Sequence, residues 1–141
     1  MTRERPRKTD WPDLDAAYAA ARAIGALDIG QGTVAIGGRV IAVEGIEGTD
    51  GLLERVKELR GHGRIAGRMR GVLVKCAKPQ QELRADLPTI GPATVEMAHA
   101  AGLAGIGVEA GHALVLEFAE LVARADALGL FVVGLPRQER N

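Results

Sequence analysis

The chain is predicted to fold as a single layered α/β domain, with a mixed, largely parallel sheet flanked by helices and two β-hairpins. Apolar segments rich in β-branched residues alternate with amphipathic ones along the 141 residues, as is typical of α/β folds. The segments GVLVK, GIGVE and LFVVG are apolar on both faces, which favours parallel strands covered by helices. Two further pairs of apolar runs meet at glycine turns, and these add antiparallel pairs to the sheet.

The first predicted helix begins at about Asp13. Apolar residues from Leu14 to Ile24 follow the helical period of about 3.6 residues. Pro12 suits the entry of this helix and Gly25 suits its exit.

The next segment, TVAIGGRVIAVEG, predicts a β-hairpin that turns at Gly37 and Gly38. A second helix follows in GTDGLLERVKELRGHG. Thr49 or Asp50 is its expected N-cap and Gly61 its expected end.

The second half of the chain repeats the alternation. A strand is expected near Gly71 to Cys76, and a third helix from Pro92 to about Ala101. GIGVEAGHALVLE predicts another pair of strands around Ala110 and Gly111. A fourth helix in EFAELVARADALG and a buried strand in LFVVG complete the plan.

Composition bounds the class of protein. Lys plus Arg and Asp plus Glu each number 18, so no basic surplus points to nucleic acid as a partner. The single Cys76 cannot form an internal disulfide and fits a reducing, cytoplasmic location. No apolar run approaches the roughly 20 residues that span a bilayer, and the basic N-terminus lacks the apolar segment of a signal peptide.

The expected domain covers residues 13–134. Residues 1–12 are predicted to be a flexible tail or the remnant of a linker, and residues 135–141 a polar tail. The high apolar content also predicts an exposed apolar patch, to be covered by a partner or by a second copy of the chain.

Ligands of open α/β sheets bind where strands end and helices begin, and EGIEGTD lies at such a place. Its carboxylates Glu44, Glu47 and Asp50 are oxygen ligands that could hold a divalent cation such as Mg²⁺. In the alternative interpretation, Thr49 and Asp50 cap the second helix, Glu47 favours its positive end, and Glu44 is solvated. Both interpretations stay open from the residues alone.

A second candidate site surrounds RADLPTIGP. Gly91 precedes Pro92 without offering a side-chain cap, so backbone N–H groups there are expected to bind an anion beside the Thr89 hydroxyl. Three cations can converge on the same place, namely Lys75, Lys78 and Arg84.

Asp86 stands at the mouth of this predicted phosphate site. A carboxylate beside phosphate is repulsive unless it binds a metal or a water. In the alternative, Asp86 makes a local turn bond ahead of Pro88 and pairs with Arg84.

Other chemistry-bearing residues give weaker signals. His62, His99 and His112 lack metal-ligand spacing. Cys76 is expected to be an inert, buried thiol.

Four stretches in order carry a resemblance. DIGQGTVAIGGRVIAVEGIEGTD, VLVKCAKPQQELRADLPTIGPATVE, AGLAGIGVEAG and GLFVVG together resemble the C-terminal domain of the UDP-2,3-diacylglucosamine hydrolase (LpxI) family of lipid A biosynthesis, in the form found in many alphaproteobacteria. The likeness runs from about Asp15 to Gly134.

The resemblance implies an activity and a set of site residues. Such enzymes use Mg²⁺ or Mn²⁺, and water attacks the phosphorus nearer uridine of UDP-2,3-diacylglucosamine, which gives UMP and lipid X. The aspartate of the family's DLP motif falls on Asp86, which makes it the expected catalytic residue. Glu47 and Asp50 are the further catalytic and metal-binding candidates beside Asp86. The remaining candidate substrate- and phosphate-binding positions are Asp28, Gln31, Thr49, Lys75, Gln81, Arg84, Thr89 and Gly91.

The resemblance also implies partners. Family members carry a further N-terminal domain of similar size, and this sequence is expected to begin at the linker between the two domains. It would then be an excised fragment, a chain whose partner domain is a separate subunit, or a remnant. The lipid substrate would bring the protein to the inner face of the inner membrane. The sequence reads KPQQE where relatives commonly read KPGQD, so Gln80 stands for glycine and Glu82 for aspartate. Two functions therefore remain: the catalytic half of a metal-dependent pyrophosphatase, or a module that binds a phospholipid-like or nucleotide ligand without turning it over.

Overall fold

A computed structural model describes residues 2–63, 65, 70–77 and 87–136. Helices and strands alternate through these residues. In chain order they are α1 (Trp11–Ala26), β1 (Gly32–Ile36), β2 (Arg39–Val43), α2 (Gly48–Leu59), β3 (Val72–Lys75), β4 (Thr89–Ile90), α3 (Pro92–Ala100), β5 (Gly105–Glu109), β6 (Leu114–Val115), α4 (Phe118–Leu128) and β7 (Phe131–Leu135).

The main sheet has the strand order β2-β1-β3-β5-β7. β1 is antiparallel to both β2 and β3, whereas β3, β5 and β7 are mutually parallel. Every residue of β3 and of β5 is buried, because helices cover both faces of the sheet. The predicted mixed α/β sheet is confirmed, with β3 and β5 as buried central strands. The third predicted central strand, β7, lies at the edge of the sheet and is only partly buried.

The prediction of a second β-hairpin, around Ala110 and Gly111, is wrong. β6 does not pair with β5; it pairs in parallel with β4, with Thr89 opposite Leu114, and forms a separate two-stranded sheet. Leu114 N–H donates to the Pro88 carbonyl and Leu116 N–H to the Ile90 carbonyl. A two-residue strand carries no periodic signal, so β4 could not be recognised as the partner.

Two layers of helices close the core. On one face of the sheet, α1 packs Leu14, Tyr18 and Ala21 against Val74 and Phe131. On the other face, α2, α3 and α4 bring in apolar side chains that include Leu53, Val56, Val95 and Leu121. Gly105 permits the close packing of the parallel strands, since a Cβ added there would lie 2.4 Å from the Phe131 ring.

Two helix starts differ from expectation. α1 begins at Trp11, two residues before Asp13, with Pro12 in its first turn as predicted. α2 begins at Gly48, so Thr49 and Asp50 lie inside its first turn and neither is the N-cap. The Thr49 hydroxyl donates instead to Glu44, and this contact replaces the predicted cap.

The segment before α1 contacts the domain. Thr2 is buried and its Oγ1 accepts a hydrogen bond of 3.1 Å from Val132 N–H on β7. Asp10 is buried and binds Arg70 through both carboxylate oxygens, at 2.9 and 2.7 Å. Residues 2–10 therefore add to the packing, while the domain boundaries remain predictions. Within the described ranges, no helix is long and apolar enough to cross a membrane.

Candidate functional site

The carboxyl ends of β3 and β5 meet at one edge of the main sheet because these strands are parallel. β1 runs the opposite way, so its first residue, Gly32, pairs with Lys75, the last residue of β3. Glu44, which follows β2, reaches the same edge, since its N–H donates to the Gly32 carbonyl at 2.8 Å. We call this edge, with Gln31, Glu44, Lys75 and Glu109, the carboxyl end of the sheet.

Lys75 is the buried cation of the carboxyl end. Only 7% of it is exposed, and its Nζ donates to the Thr89 carbonyl at 2.9 Å. Burial lowers the pKa of the Lys75 ammonium from its ordinary value, while the nearby Glu44 and Asp50 carboxylates act to raise it. The predicted site residues Lys75, Thr89 and Asp50 therefore lie in one region.

Glu44 contacts several predicted site residues. The sequence alone allows it to be a cation ligand or a solvated carboxylate, but does not place it among the candidate site residues. Its Oε1 accepts a hydrogen bond of 2.8 Å from the Thr49 hydroxyl, and its Oε2 accepts one of 3.3 Å from Gln31 N–H. A usable signal was its position directly after an apolar strand that ends at the ligand-binding edge.

The Glu47 side chain makes hydrogen bonds to nearby residues. Its carboxylate accepts hydrogen bonds from Gly45 N–H and from Arg55, the latter at 3.3 Å. It occupies the N-cap position of α2 without making a side-chain cap bond. Asp50 is exposed in the first turn of the same helix, where a carboxylate meets the positive end of the helix dipole.

The start of α3 faces an open groove of about 510 Å³. Gly91 has no side chain to cap the helix, as predicted, and its N–H donates to Thr94 Oγ1 at 3.2 Å. Three carboxylates line the groove together with Arg124, namely Glu96, Glu117 and Glu120. Arg124 pairs with Glu96 and Glu120, and the remaining negative charge opposes an anion in the groove itself.

The loop between α1 and β1 contains Asp28 and brings Gln31 to the carboxyl end. Asp28 has the left-handed φ of 57° that closes this turn. The Gln31 carbonyl accepts a hydrogen bond of 2.9 Å from Cys76 N–H, just beyond β3. The predicted residues Lys78, Gln81, Arg84 and Asp86 lie outside the described residues.

Glu109 is a second carboxylate that sequence reasoning did not select. It ends β5 on the α1 face and is only 1% exposed. Its Oε2 accepts hydrogen bonds from the Tyr18 hydroxyl at 2.9 Å and from Arg22 at 3.3 Å. Its Oε1 has no hydrogen-bond partner among the described residues.

Cys76 lies buried at the same edge. Burial, and secondarily the charge of Glu109, raise the pKa of its thiol to about 12, against an opposing effect of Arg22. A thiol that stays protonated at neutral pH is a poor nucleophile and a poor metal ligand. The prediction of an inert thiol agrees with this environment.

The described residues include no group of three or more His, Cys, Asp and Glu side chains placed to hold a metal ion. Asp86, the third member of the predicted metal set, is outside that part of the chain. Of the two described members, Glu47 is engaged by Arg55 and Gly45, whereas Asp50 stands exposed near Lys75. Asp50 therefore fits a hard cation better than Glu47 does.

Exposed apolar side chains flank this region on two sides. Leu27, Ile29, Val43 and Ile46 lie on or beside the loops that carry Gln31 and Glu44. Leu114, Leu116 and Phe118 lie on and just after β6, which pairs with the strand that contains Thr89. The chain thus exposes apolar side chains of the kind predicted from its composition.

Comparison with known proteins adds a family. A family model described as the LpxI C-terminal domain matches residues 1–133. The UDP-2,3-diacylglucosamine pyrophosphatase LpxI of Caulobacter vibrioides is 53% identical over 137 residues, which is 96% of this chain and 49% of that protein. The chain therefore spans about half the length of the curated relative that it matches.

Proposed function

Because the chain belongs to the LpxI C-terminal domain family, we propose that it is the half of a UDP-2,3-diacylglucosamine pyrophosphatase that handles the phosphates of the substrate. The observation that carries this proposal is the identity to the Caulobacter pyrophosphatase over nearly the whole chain. The clustering of Lys75, Thr49 and Gln31 around one carboxylate supports it independently.

In the proposed reaction, water attacks the phosphorus nearer uridine and the bond from that phosphorus to the bridging oxygen breaks. One product is UMP, and the other is the acylated sugar phosphate lipid X. The protein's main task in such a transfer is to position groups and to stabilise charge on the phosphate oxygens. A buried ammonium such as Lys75 suits this task, because charge interactions are stronger where water is excluded.

We propose that the reaction depends on Mg²⁺ or Mn²⁺. Asp86 and Asp50 would hold the ion together with substrate phosphate oxygens, since such cations commonly bind through one or two carboxylates plus phosphate. When bound, the ion would neutralise charge that develops on those oxygens. Glu47 would instead keep its contact with Arg55, which orients the loop before α2.

The rest of the enzyme would come from a second domain. The curated relative is about twice as long as the matched segment, and a pyrophosphate with two acyl chains is too large for the shallow edge of one sheet. Closing domains exclude water and complete a site. We expect the exposed apolar side chains beside the site to meet that domain or the acyl chains at the membrane surface, with self-association of the chain as the alternative.

The test compares the chain alone with the chain joined to the half of the Caulobacter protein that it does not cover, called here the joined protein. UMP release from UDP-2,3-diacylglucosamine is measured with Mg²⁺, with Mn²⁺ and with a chelator. We expect metal-dependent release by the joined protein and little release by the chain alone. Binding of substrate by the joined protein without any release would favour the second candidate function, a non-catalytic binding module.

Asp86 is tested in the same protein. Asp86→Ala should leave folding and substrate binding intact but lower turnover about 100-fold or more, roughly 3 kcal/mol of barrier. Thermal melting checks the fold. A folded variant with full metal-dependent turnover would favour the alternative interpretation, in which Asp86 makes a local turn bond and pairs with Arg84.

A further inference from the structure

We propose that Glu44 is a positioning residue of this site, which holds the start of α2 and the loop before β1 in register around Lys75. The inference rests on the proposed function, and it names a residue outside the set that the family resemblance marks. Its basis is a set of contacts that converge on one half-buried carboxylate.

The contacts of Glu44 span three separate segments. Oε1 accepts a hydrogen bond from the Thr49 hydroxyl at 2.8 Å, in the first turn of α2. Oε2 accepts one from Gln31 N–H at 3.3 Å, directly before β1. The Glu44 backbone N–H donates to the Gly32 carbonyl at 2.8 Å and continues the pairing of β2 with β1. The Glu44 side chain therefore links a helix to a loop, and its backbone joins the end of the sheet.

Two glycines lie against Glu44, one against its backbone and one against its carboxylate. A Cβ added at Gly30 would lie 2.4 Å from the Glu44 carbonyl oxygen. A Cβ added at Gly32 would lie 3.1 Å from Glu44 Oε1 itself. A side chain at Gly30 would therefore clash with the Glu44 backbone, and one at Gly32 would force the carboxylate to shift by a few tenths of an ångström.

The charge of Glu44 matters as well as its hydrogen bonds. Lys75 is buried, and burial favours the neutral form of an amine. The charges of two carboxylates oppose that effect, and Glu44 contributes more than Asp50. Glu44 also orients the hydroxyl of Thr49, which the family resemblance makes a substrate contact. The expected consequence of losing Glu44 is a poorly organised phosphate site in a folded protein.

A purely structural role makes a different prediction. If Glu44 only tied the loops together, its loss would lower the melting temperature but leave kcat of the folded fraction unchanged. If Glu44 positions groups that act in the transition state, kcat falls while KM changes little. Supporting residues of this kind typically change activity by about 10- to 100-fold.

The experiment uses Glu44→Gln in the joined protein, assayed for UMP release well below its melting temperature. We expect kcat to fall about 10- to 100-fold with KM within about threefold of its original value. Glu54→Gln is the matched control, because Glu54 is an exposed carboxylate on the same helix as Thr49. That control should keep the original kcat.

Gly32→Ala gives a second variant that keeps every charge but crowds Glu44 Oε1. We expect a loss of kcat in the same direction as for Glu44→Gln. Folded variants of both kinds with control-like kcat and KM would overturn the role of Glu44 and leave the proposed function standing. Absence of metal-dependent UMP release by the original joined protein would instead overturn the proposed function, and this inference with it.

Discussion

The two ends of the sheet treat buried charge differently. At the amino end of β3, Asp10 accepts two hydrogen bonds from Arg70 and one from Arg7 N–H, which closes a complete ion pair. At the carboxyl end, Lys75 donates to a neutral carbonyl, and Glu109 keeps one oxygen without a hydrogen-bond partner among the described residues. Fully matched charges stabilise a fold, whereas incompletely matched ones are typical of sites that meet a ligand.

This contrast separates two kinds of buried polar residue that look alike in the sequence. Arg60, also at the amino end, donates from its guanidinium to two backbone carbonyls, those of Ala101 and Arg70, both at 2.7 Å, so its hydrogen bonds hold parts of the fold together. We therefore expect substitutions of charged residues at the amino end to change stability, and substitutions of charged residues at the carboxyl end to change activity. The predictions below test that division.

The largest effect is expected for Lys75→Met in the joined protein. Methionine matches the length of lysine without its charge, so UMP release should fall about 100-fold, roughly 3 kcal/mol of barrier. The free energy of unfolding should change by less than about 1 kcal/mol, because the lost Thr89 hydrogen bond is offset by the lost cost of burying an ammonium. Urea titration and turnover assays measure the two quantities. Full turnover by the variant would show that Lys75 is not part of the functional site.

The opposite pattern is expected for Asp10→Asn. The substitution leaves Arg70 without its carboxylate, and the free energy of unfolding should drop by about 2 kcal/mol. Turnover of the folded joined protein should not change. Equal losses of turnover for Asp10→Asn and Lys75→Met would break the division between the two ends.

The ion pair of Asp10 and Arg70 should also make the stability of the fold depend on pH. Burial acts to raise the pKa of Asp10, but the Arg70 hydrogen bond, the Arg7 N–H and the charges of Arg70 and Arg7 together lower it below its ordinary 3.8. A carboxyl with a lowered folded-state pKa contributes stability above the unfolded pKa, and that stability is lost as pH falls through the folded value. Stability measured from pH 6 down to about pH 2 should therefore fall less steeply in Asp10→Asn than in the original chain. Parallel curves would contradict this.

The smallest effect is expected for Cys76→Ala. The thiol lies at the carboxyl end, but its pKa of about 12 leaves almost no thiolate at neutral pH. Turnover should stay within about twofold, and the small cavity should cost about 1 kcal/mol of stability. A large loss of turnover with an unchanged fold would show that the inert-thiol interpretation is wrong.

Much of the fold could be predicted from the sequence because its signals are periodic or local. The apolar runs of β3 and β5 and the glycine turn between β1 and β2 each identify their element. The pairing of β6 with β4 could not be found, since it depends on where the loop after β5 lies in space. The start of α2 was misplaced because the Glu44 carboxylate, five residues earlier, accepts the hydrogen bond of the Thr49 hydroxyl that a cap would use.

The site was predictable only in part. Motif resemblance marked Lys75, Thr49 and Gln31, but spacing alone could not show that one carboxylate contacts two of them. Glu44 lies 13 residues from Gln31 and five from Thr49, and only the antiparallel pairing of β1 and β2 brings the three together. Glu109 was not identified as a candidate for the same reason, since its partners Tyr18 and Arg22 are 91 and 87 residues away from it in the sequence.

The most direct measurement follows backbone amide NMR signals of the ¹⁵N-labelled joined protein during titration with lipid X and Mg²⁺. Both the proposed function and the contrast between the two ends require the phosphate to bind at the carboxyl end of the sheet. The shifts within this chain should then cluster at Gln31, Thr49, Lys75 and Thr89. They should be absent at Gly38 and Arg70, at the amino end. Shifts confined to the amino end, or none in this chain despite binding, would contradict the account.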